Sequence, residues 1–378
     1  MIIGAPKETD PAESRCALIP ATAARLVKLG ADVQVESGSG LANGFSDAAY
    51  ADAGAKLLPD REAILSRADL ILRVRKPGLA EVALLKPGAI QLGFLDPFNN
   101  LELIRQLATR GVSVFSLEML PRITRAQKLD ALSSQANLAG YVAVILAAAH
   151  SKIIFPMLMT AAGTIMPARV LIIGAGVAGL QAIATARRLG ARVEAYDTRP
   201  VAEEQVKSLG AKFLKMDLGE TGQTKDGYAK ALTPEQLQLQ RDALKKFCAQ
   251  ADVVITTAQV FGRKAPIIVT AAMLEAMRPG SVVVDLAVES GGNVEGIAPG
   301  QISERNGVKL VGLTNLPGHV AAHASQVYAT NLVNFVEEFW DPEKQSFTVN
   351  LDDEIVQGCL LTHGGKIVNA KLAELTKG

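Results

Sequence analysis

The chain has 378 residues, 49% of them hydrophobic and 20% charged, which excludes a disordered chain, because there is enough apolar side chain to offset the entropy lost on ordering. A net charge of +1 and an aromatic content of 4% argue against nucleic acid as a partner, whose sites need a clustered basic excess and stacking rings. Cys16, Cys248 and Cys359 lie far apart and form no CxxC, which excludes a disulfide framework or a thiolate zinc site.

The first residues, Met1 to Glu8, carry no basic segment ahead of an apolar one, so no signal peptide is expected. They read as a strand, Ile2–Ala5. Pro20–Leu29 follows as an amphipathic helix closed by Gly30, and Asp32–Glu36 as the next strand. Leu70–Val74, Ala89–Leu95 and Val112–Leu117 are further apolar strands, with Asn100–Arg110 helical between the last two. Strands alternating with helices imply a parallel sheet. Leu132–Ala149 then reads as a long buried helix. His150, Ser151, Lys152, Pro156 and Pro167 interrupt the apolar run, so no membrane span is expected.

The alternation resumes with strands at Val170–Ile173, Arg192–Tyr196, Val253–Thr257, Ser281–Leu286 and Lys309–Leu313. Asp217–Arg241 breaks the rhythm and reads as a long functional loop. Ala321–Phe339 is helical, and Phe347–Leu351 is expected to be a strand.

The main chemical signal is Gly174-Ala175-Gly176-Val177-Ala178-Gly179, a GxGxxG that follows one strand and opens a helix, with a second strand beyond. Gly174 permits the tight turn, Gly176 lets backbone approach a pyrophosphate, and Gly179 lets helix and strand pack closely. Free N–H groups at the helix start attract the phosphates. Asp197 stands eighteen residues beyond Gly179, where a carboxylate accepts from the adenosine ribose and repels a 2′-phosphate. NAD(H) is therefore expected over NADP(H), although Arg199 could receive that phosphate. Other strand ends should line the same crevice: Thr256, Thr257, Ala258 and Gln259; Asp285, Leu286, Ala287, Glu289 and Gly291; and Thr314, Asn315 and Pro317. Upstream, Arg122, Gln127, Asp130 and Ser133 form a polar cluster. It reads equally as a capped helix start or as a loop facing the nucleotide. His319 and His323, four apart, would share a helical face; helix-start residues are expected there rather than a metal site.

Several stretches resemble the NAD(H)-binding component of proton-translocating NAD(P) transhydrogenases. They are Met119–Tyr141, which carries Pro121-Arg122-Ile123-Thr124-Arg125-Ala126-Gln127; Met159-Thr160-Ala161-Ala162-Gly163-Thr164; the glycine turn; Gly227-Tyr228-Ala229-Lys230; and the run from Pro279 to Glu289. The resemblance covers essentially the whole chain. It implies that Arg122, Gln127, Asp130 and Ser133 lie on the nicotinamide side, with Gln127, Arg122 and Asp130 serving hydride transfer. Val177, Ala178 and Gly179 would hold the pyrophosphate. Asp197, Thr198 and Arg199 would hold the adenosine ribose. Gly227 and Tyr228 fall on a closing loop, and Ala258 and Leu286 complete the nucleotide site.

The resemblance further implies a homodimer working with NADP(H)-binding and membrane-spanning partner subunits. Hydride would pass directly from NADH to NADP⁺ on the partner. The location would be cytoplasmic, peripheral on the inner membrane through those partners, with no insertion of this chain. Such a transfer needs proximity rather than a metal or a general acid. The fold expected is α/β, two Rossmann-like doubly wound parallel-sheet domains with a cleft between them: residues 1–137 plus 322–378, and an NAD(H)-binding domain at 138–321.

Two competing readings remain. The related alanine dehydrogenases share Pro6-Lys7-Glu8, Arg15 and Pro20, but need a Lys for the substrate carboxylate and a His for proton transfer. Arg75 and Asp96 stand at those positions here. A non-catalytic NAD-binding module would have no use for the polar loop.

Overall fold

The structure, a computed structural model, describes residues 1–219, 221–222 and 232–375. The chain divides into two compact units, Met1–Gln135 with Gly318–Gly378, and Ala136–Pro317.

In the first unit the strands Ile2–Ala5, Asp32–Glu36, Lys56–Leu58, Leu70–Leu72, Ile90–Gly93 and Ser113–Ser116 pair in parallel. Counted along the chain they lie in the order 3-2-1-4-5-6, the doubly wound arrangement. Leu360–His363 returns antiparallel beside Ser113–Ser116, and Lys366–Ile367 closes that edge. Both faces are covered. Ile3, Leu70 and Leu72 pack into one apolar core, and Ile71 and Val114 into another. That is why these strands read as continuous apolar runs.

The second unit repeats the plan. Arg169–Ile173, Arg192–Tyr196, Lys212–Phe213, Val253–Thr256, Val282–Asp285 and Val308–Gly312 are parallel in the same 3-2-1-4-5-6 order, and Gln301–Arg305 is an antiparallel edge. The reversal of strand order falls between Arg169–Ile173 and Val253–Thr256, so loops after those strands flank a natural ligand crevice.

Four expectations are corrected. The stretch Asp217–Arg241 is not loop throughout: Thr233 and Gln236 form a reciprocal cap, and the helix Pro234–Gln250 starts there. Phe347–Leu351 is not a strand. Only Ser346–Phe347 pairs, with Trp340–Asp341, because Asn350 turns the chain into a helix capped by Asp353. His319 and His323 do not share a face; His319 lies in the 3-10 turn Leu316–Val320 and His323 in the following helix Ala321–Glu338. The helix Ala131–His150 is not buried throughout, since Tyr141 and Ile145 are exposed. By length and composition alone that helix could cross a membrane.

Candidate nucleotide site

The glycine turn shows why its spacing matters. Gly174 follows the strand Arg169–Ile173 with φ +97°, a backbone conformation that side chains disfavour. A Cβ on Gly179 would stand 1.9 Å from the Gly174 carbonyl oxygen. At Gly176 a Cβ would meet nothing within 4 Å, so the turn presents bare backbone to open space there. Gly176 caps the helix Val177–Arg188 with no side-chain acceptor, so the first-turn N–H groups are offered outward. The geometry fits a dinucleotide pyrophosphate. Thr257 Oγ donates to the Gly174 carbonyl at 2.9 Å and fixes the turn against the neighbouring strand end.

Sequence reasoning missed Gly140. A Cβ there would stand 2.1 Å from the Ala178 carbonyl oxygen, so the long helix touches the first turn of the phosphate-facing helix. The available signal was a glycine inside an otherwise strong helix, where it costs about 1 kcal/mol against alanine and so implies a close approach.

Asp197 ends the strand Arg192–Tyr196, and its carboxylate is already organised. Oδ2 accepts from the Ala175 N–H at 2.8 Å, tying Asp197 to the glycine turn. Oδ1 accepts from the Arg199 N–H at 2.8 Å and Nε at 3.0 Å, and Arg199 Nη2 reaches Oδ2 at 2.9 Å. Arg199 therefore folds back on Asp197, and the carboxylate raises its pKa further. Beside them a cavity of about 170 Å³ is lined by Tyr196, Asp197, Arg199, Phe213, Met216 and Leu218. Its apolar wall and polar rim suit a planar base and its ribose.

The neighbouring strand ends separate into scaffold and surface. Thr256 and Asp285 are fully buried, so neither lines a crevice. Burial raises the Asp285 pKa, while N–H groups of Ala287, Asn293 and Val294 and the Thr256 hydroxyl all donate to its carboxylate. Asn293, which the sequence did not single out, receives from the Ala258 N–H at 3.0 Å and donates to the Ala258 and Pro266 carbonyls. Two strand-end loops are thus locked together. Ala258 and Leu286 stay half-buried on them.

In the other unit Arg122 and Gln127 are exposed on the segment before the long helix, and Gln127 lies in the 3-10 turn Thr124–Leu129. Asp130 caps the helix, its carboxylate accepting from the Ser133 N–H at 2.9 Å and hydroxyl at 2.6 Å. Arg122, Gln127, Asp130 and Ser133 therefore share one helix start. Gly227 and Tyr228 lie outside the described residues.

Two family models match the chain: "Alanine dehydrogenase/PNT, N-terminal domain" over residues 4–139 and "Alanine dehydrogenase/PNT, C-terminal domain" over residues 143–370. The chain belongs to the alanine dehydrogenase/PNT family. It is 45% identical over 98% of its length to an NAD(P) transhydrogenase subunit alpha chain of Rhodospirillum rubrum, covering 99% of that protein. It is equally identical to a transhydrogenase from Sinorhizobium meliloti of known crystal structure, with a TM-score of 0.85 and coverage of 98% and 100% of the two chains. An L-alanine dehydrogenase structure matches at 27% identity and a TM-score of 0.83, covering 100% and 99%.

Within this family the strand ends of the first unit are informative. No glycine turn follows Ile2–Ala5. Instead the Glu8 carboxylate accepts from the Val74 and Arg75 N–H groups, and burial pushes its pKa up. Glu13 takes Arg15 in a two-pronged contact at 2.8 and 2.6 Å and Arg75 Nε at 2.8 Å. Burial opposes its ionisation, yet Arg15 and Arg75 hold its carboxyl below the usual range. Asp96 is exposed, with φ +45°, and accepts from Asn99 and Asn100. The switch point of this unit is thus filled by side chains of the protein, whereas that of the second unit presents bare backbone.

Proposed function

We propose that the chain is the NAD(H)-binding component of a proton-translocating NAD(P)⁺ transhydrogenase. The full-length likeness to transhydrogenase chains carries this reading, and Arg75 and Asp96 at the two diagnostic positions support it over an amino-acid dehydrogenase. The second unit takes the nucleotide. The Val177, Ala178 and Gly179 turn receives the pyrophosphate, Asp197, Thr198 and Arg199 receive the adenosine ribose, and Ala258 and Leu286 complete the wall. When bound, NADH supplies the hydride that passes directly to NADP⁺ on the partner. Arg122, Gln127, Asp130 and Ser133 orient the nicotinamide end and exclude water. No residue needs to move a proton at that step, because proximity and alignment lower the barrier. Partner subunits bind NADP(H) and span the membrane, so this chain sits at the cytoplasmic face without inserting.

Gln127 is the side chain best placed to act across to a partner, being exposed and making no side-chain hydrogen bond to the described residues. Gln127→Ala is expected to keep NADH affinity within about threefold and to slow transfer to partner-bound NADP⁺ by about tenfold or more. Transfer at the normal rate in a reconstituted mixture would remove Gln127 from this role.

A homodimer belongs to the same reading. The hairpin of Leu158–Thr160 and Gly163–Ile165 is exposed along both strands, with Met159 and Met166 showing 75% and 71% of their surface. A two-stranded hairpin is marginal on its own in water, and contiguous exposed apolar surface marks a protein interface. Met159→Asp with Met166→Asp should yield monomers in sedimentation; an unchanged dimer places the interface elsewhere.

A further inference from the structure

The turn carrying Gln127 is fastened to the end of its own unit. Its inner residues, Ala126 and Leu129, are buried in the apolar core, which fixes one side. The outer side is held by polar groups from two helices. Asn331 and Asn334 both donate to the Lys128 carbonyl at 3.0 Å. Each Asn is itself oriented, Asn331 by the Ser134 hydroxyl and Asn334 by Arg25. Lys128 Nζ then reaches Glu338 at 2.6 Å. Arg125 Nη2 meets both Asp353 oxygens at 2.6 Å, and its Nε lies 3.6 Å from Glu338. The two carboxylates are mostly sheltered, with 16% and 12% side-chain exposure, and the basic residues they hold flank Gln127 on its two sides in sequence.

We propose that Glu338 and Asp353 are positioning residues for hydride transfer, holding the Thr124–Leu129 turn so that Gln127 stands at a fixed place towards the second nucleotide. Partly exposed ion pairs contribute little to stability. Four charges and two amides spent on one short turn therefore act on geometry. Transfer between two rings is sensitive to such geometry, since a displacement of about 1 Å costs on the order of a hundredfold in rate. The inference rests on the role given to Gln127 above.

The test uses the full chain with Asp353→Asn and Glu338→Gln together. Asn caps a helix about as well as Asp, so the helix Glu354–Cys359 keeps its start while the ion pairs weaken. Mixed with the NADP(H)-binding partner, the double variant should lose about tenfold in kcat for transfer. NADH affinity should stay within about threefold and Tm should hardly move. Lys128→Glu with Glu338→Lys, which restores a pair with reversed sign, should recover most of the rate lost in Glu338→Lys alone. Gln127→Ala is run beside them. If Gln127→Ala slows transfer and the double variant does not, the positioning role is overturned and the role of Gln127 stands. If Gln127→Ala itself has no effect, both fall. A double variant that loses stability and NADH affinity in proportion to its rate also overturns the proposal, because the residues are then only structural.

Discussion

Asp197→Ala is expected to weaken NADH binding by about 10- to 150-fold, the equivalent of the 1.5–3 kcal/mol that a hydrogen bond to a charged group contributes. Two losses combine. The ribose hydroxyls lose their acceptor, and the Ala175 N–H loses the 2.8 Å bond that ties Asp197 to the glycine turn. The same change frees the Arg199 guanidinium, which contacts both carboxylate oxygens in the wild type. A freed Arg receives a 2′-phosphate. NADPH affinity should therefore fall far less than NADH affinity, or rise, so the preference narrows. The wild type should bind NADH much more tightly than NADPH in calorimetry. Equal dissociation constants there, or a variant with an unaltered ratio, would show that Asp197 does not read the ribose.

Gly179→Ala acts on the same turn by sterics. Its Cβ would stand 1.9 Å from the Gly174 carbonyl oxygen and 3.2 Å from Thr257 Oγ. The nearer atom is backbone, so the strand and helix must separate. Overpacking of this kind costs about 1–3 kcal/mol or more, and at about 2–4 °C per kcal/mol it lowers Tm by roughly 2–12 °C. NADH binding should fail well below the new Tm, because the displaced groups are those that face the pyrophosphate. Gly176→Ala is the contrast. Its Cβ meets open space, so it should leave Tm nearly unchanged and weaken only nucleotide binding. A Gly179→Ala chain with normal Tm and normal affinity would contradict the packing described for the turn.

The parallel core was legible in the sequence because period and composition agree there. Ile2–Ala5, Asp32–Glu36 and Arg192–Tyr196 form as strands at the expected bounds. The glycine turn was legible because each glycine answers a separate local demand. Features set by distant partners were not. Asn293 looked like any loop residue, and its importance comes from Ala258 and Pro266, far off in sequence. Glu338 and Asp353 lie more than 200 residues from the turn they hold, a pairing that no local pattern records. Phe347–Leu351 had strand-like composition, but Asn350 and Asp353 compete for the backbone with their own side chains. The helix at Pro234 was hidden by the glycines before it, although Thr233 and Gln236 carried its cap in plain view.

The central claim is tested most directly by mixing the purified chain with a transhydrogenase NADP(H)-binding component and following single-turnover hydride transfer from labelled NADH. The account predicts label in NADPH, dependent on both proteins, with no NAD-linked oxidation of alanine by this chain alone. Steady alanine oxidation by the isolated chain, with no label reaching NADP⁺ in the mixture, would contradict it.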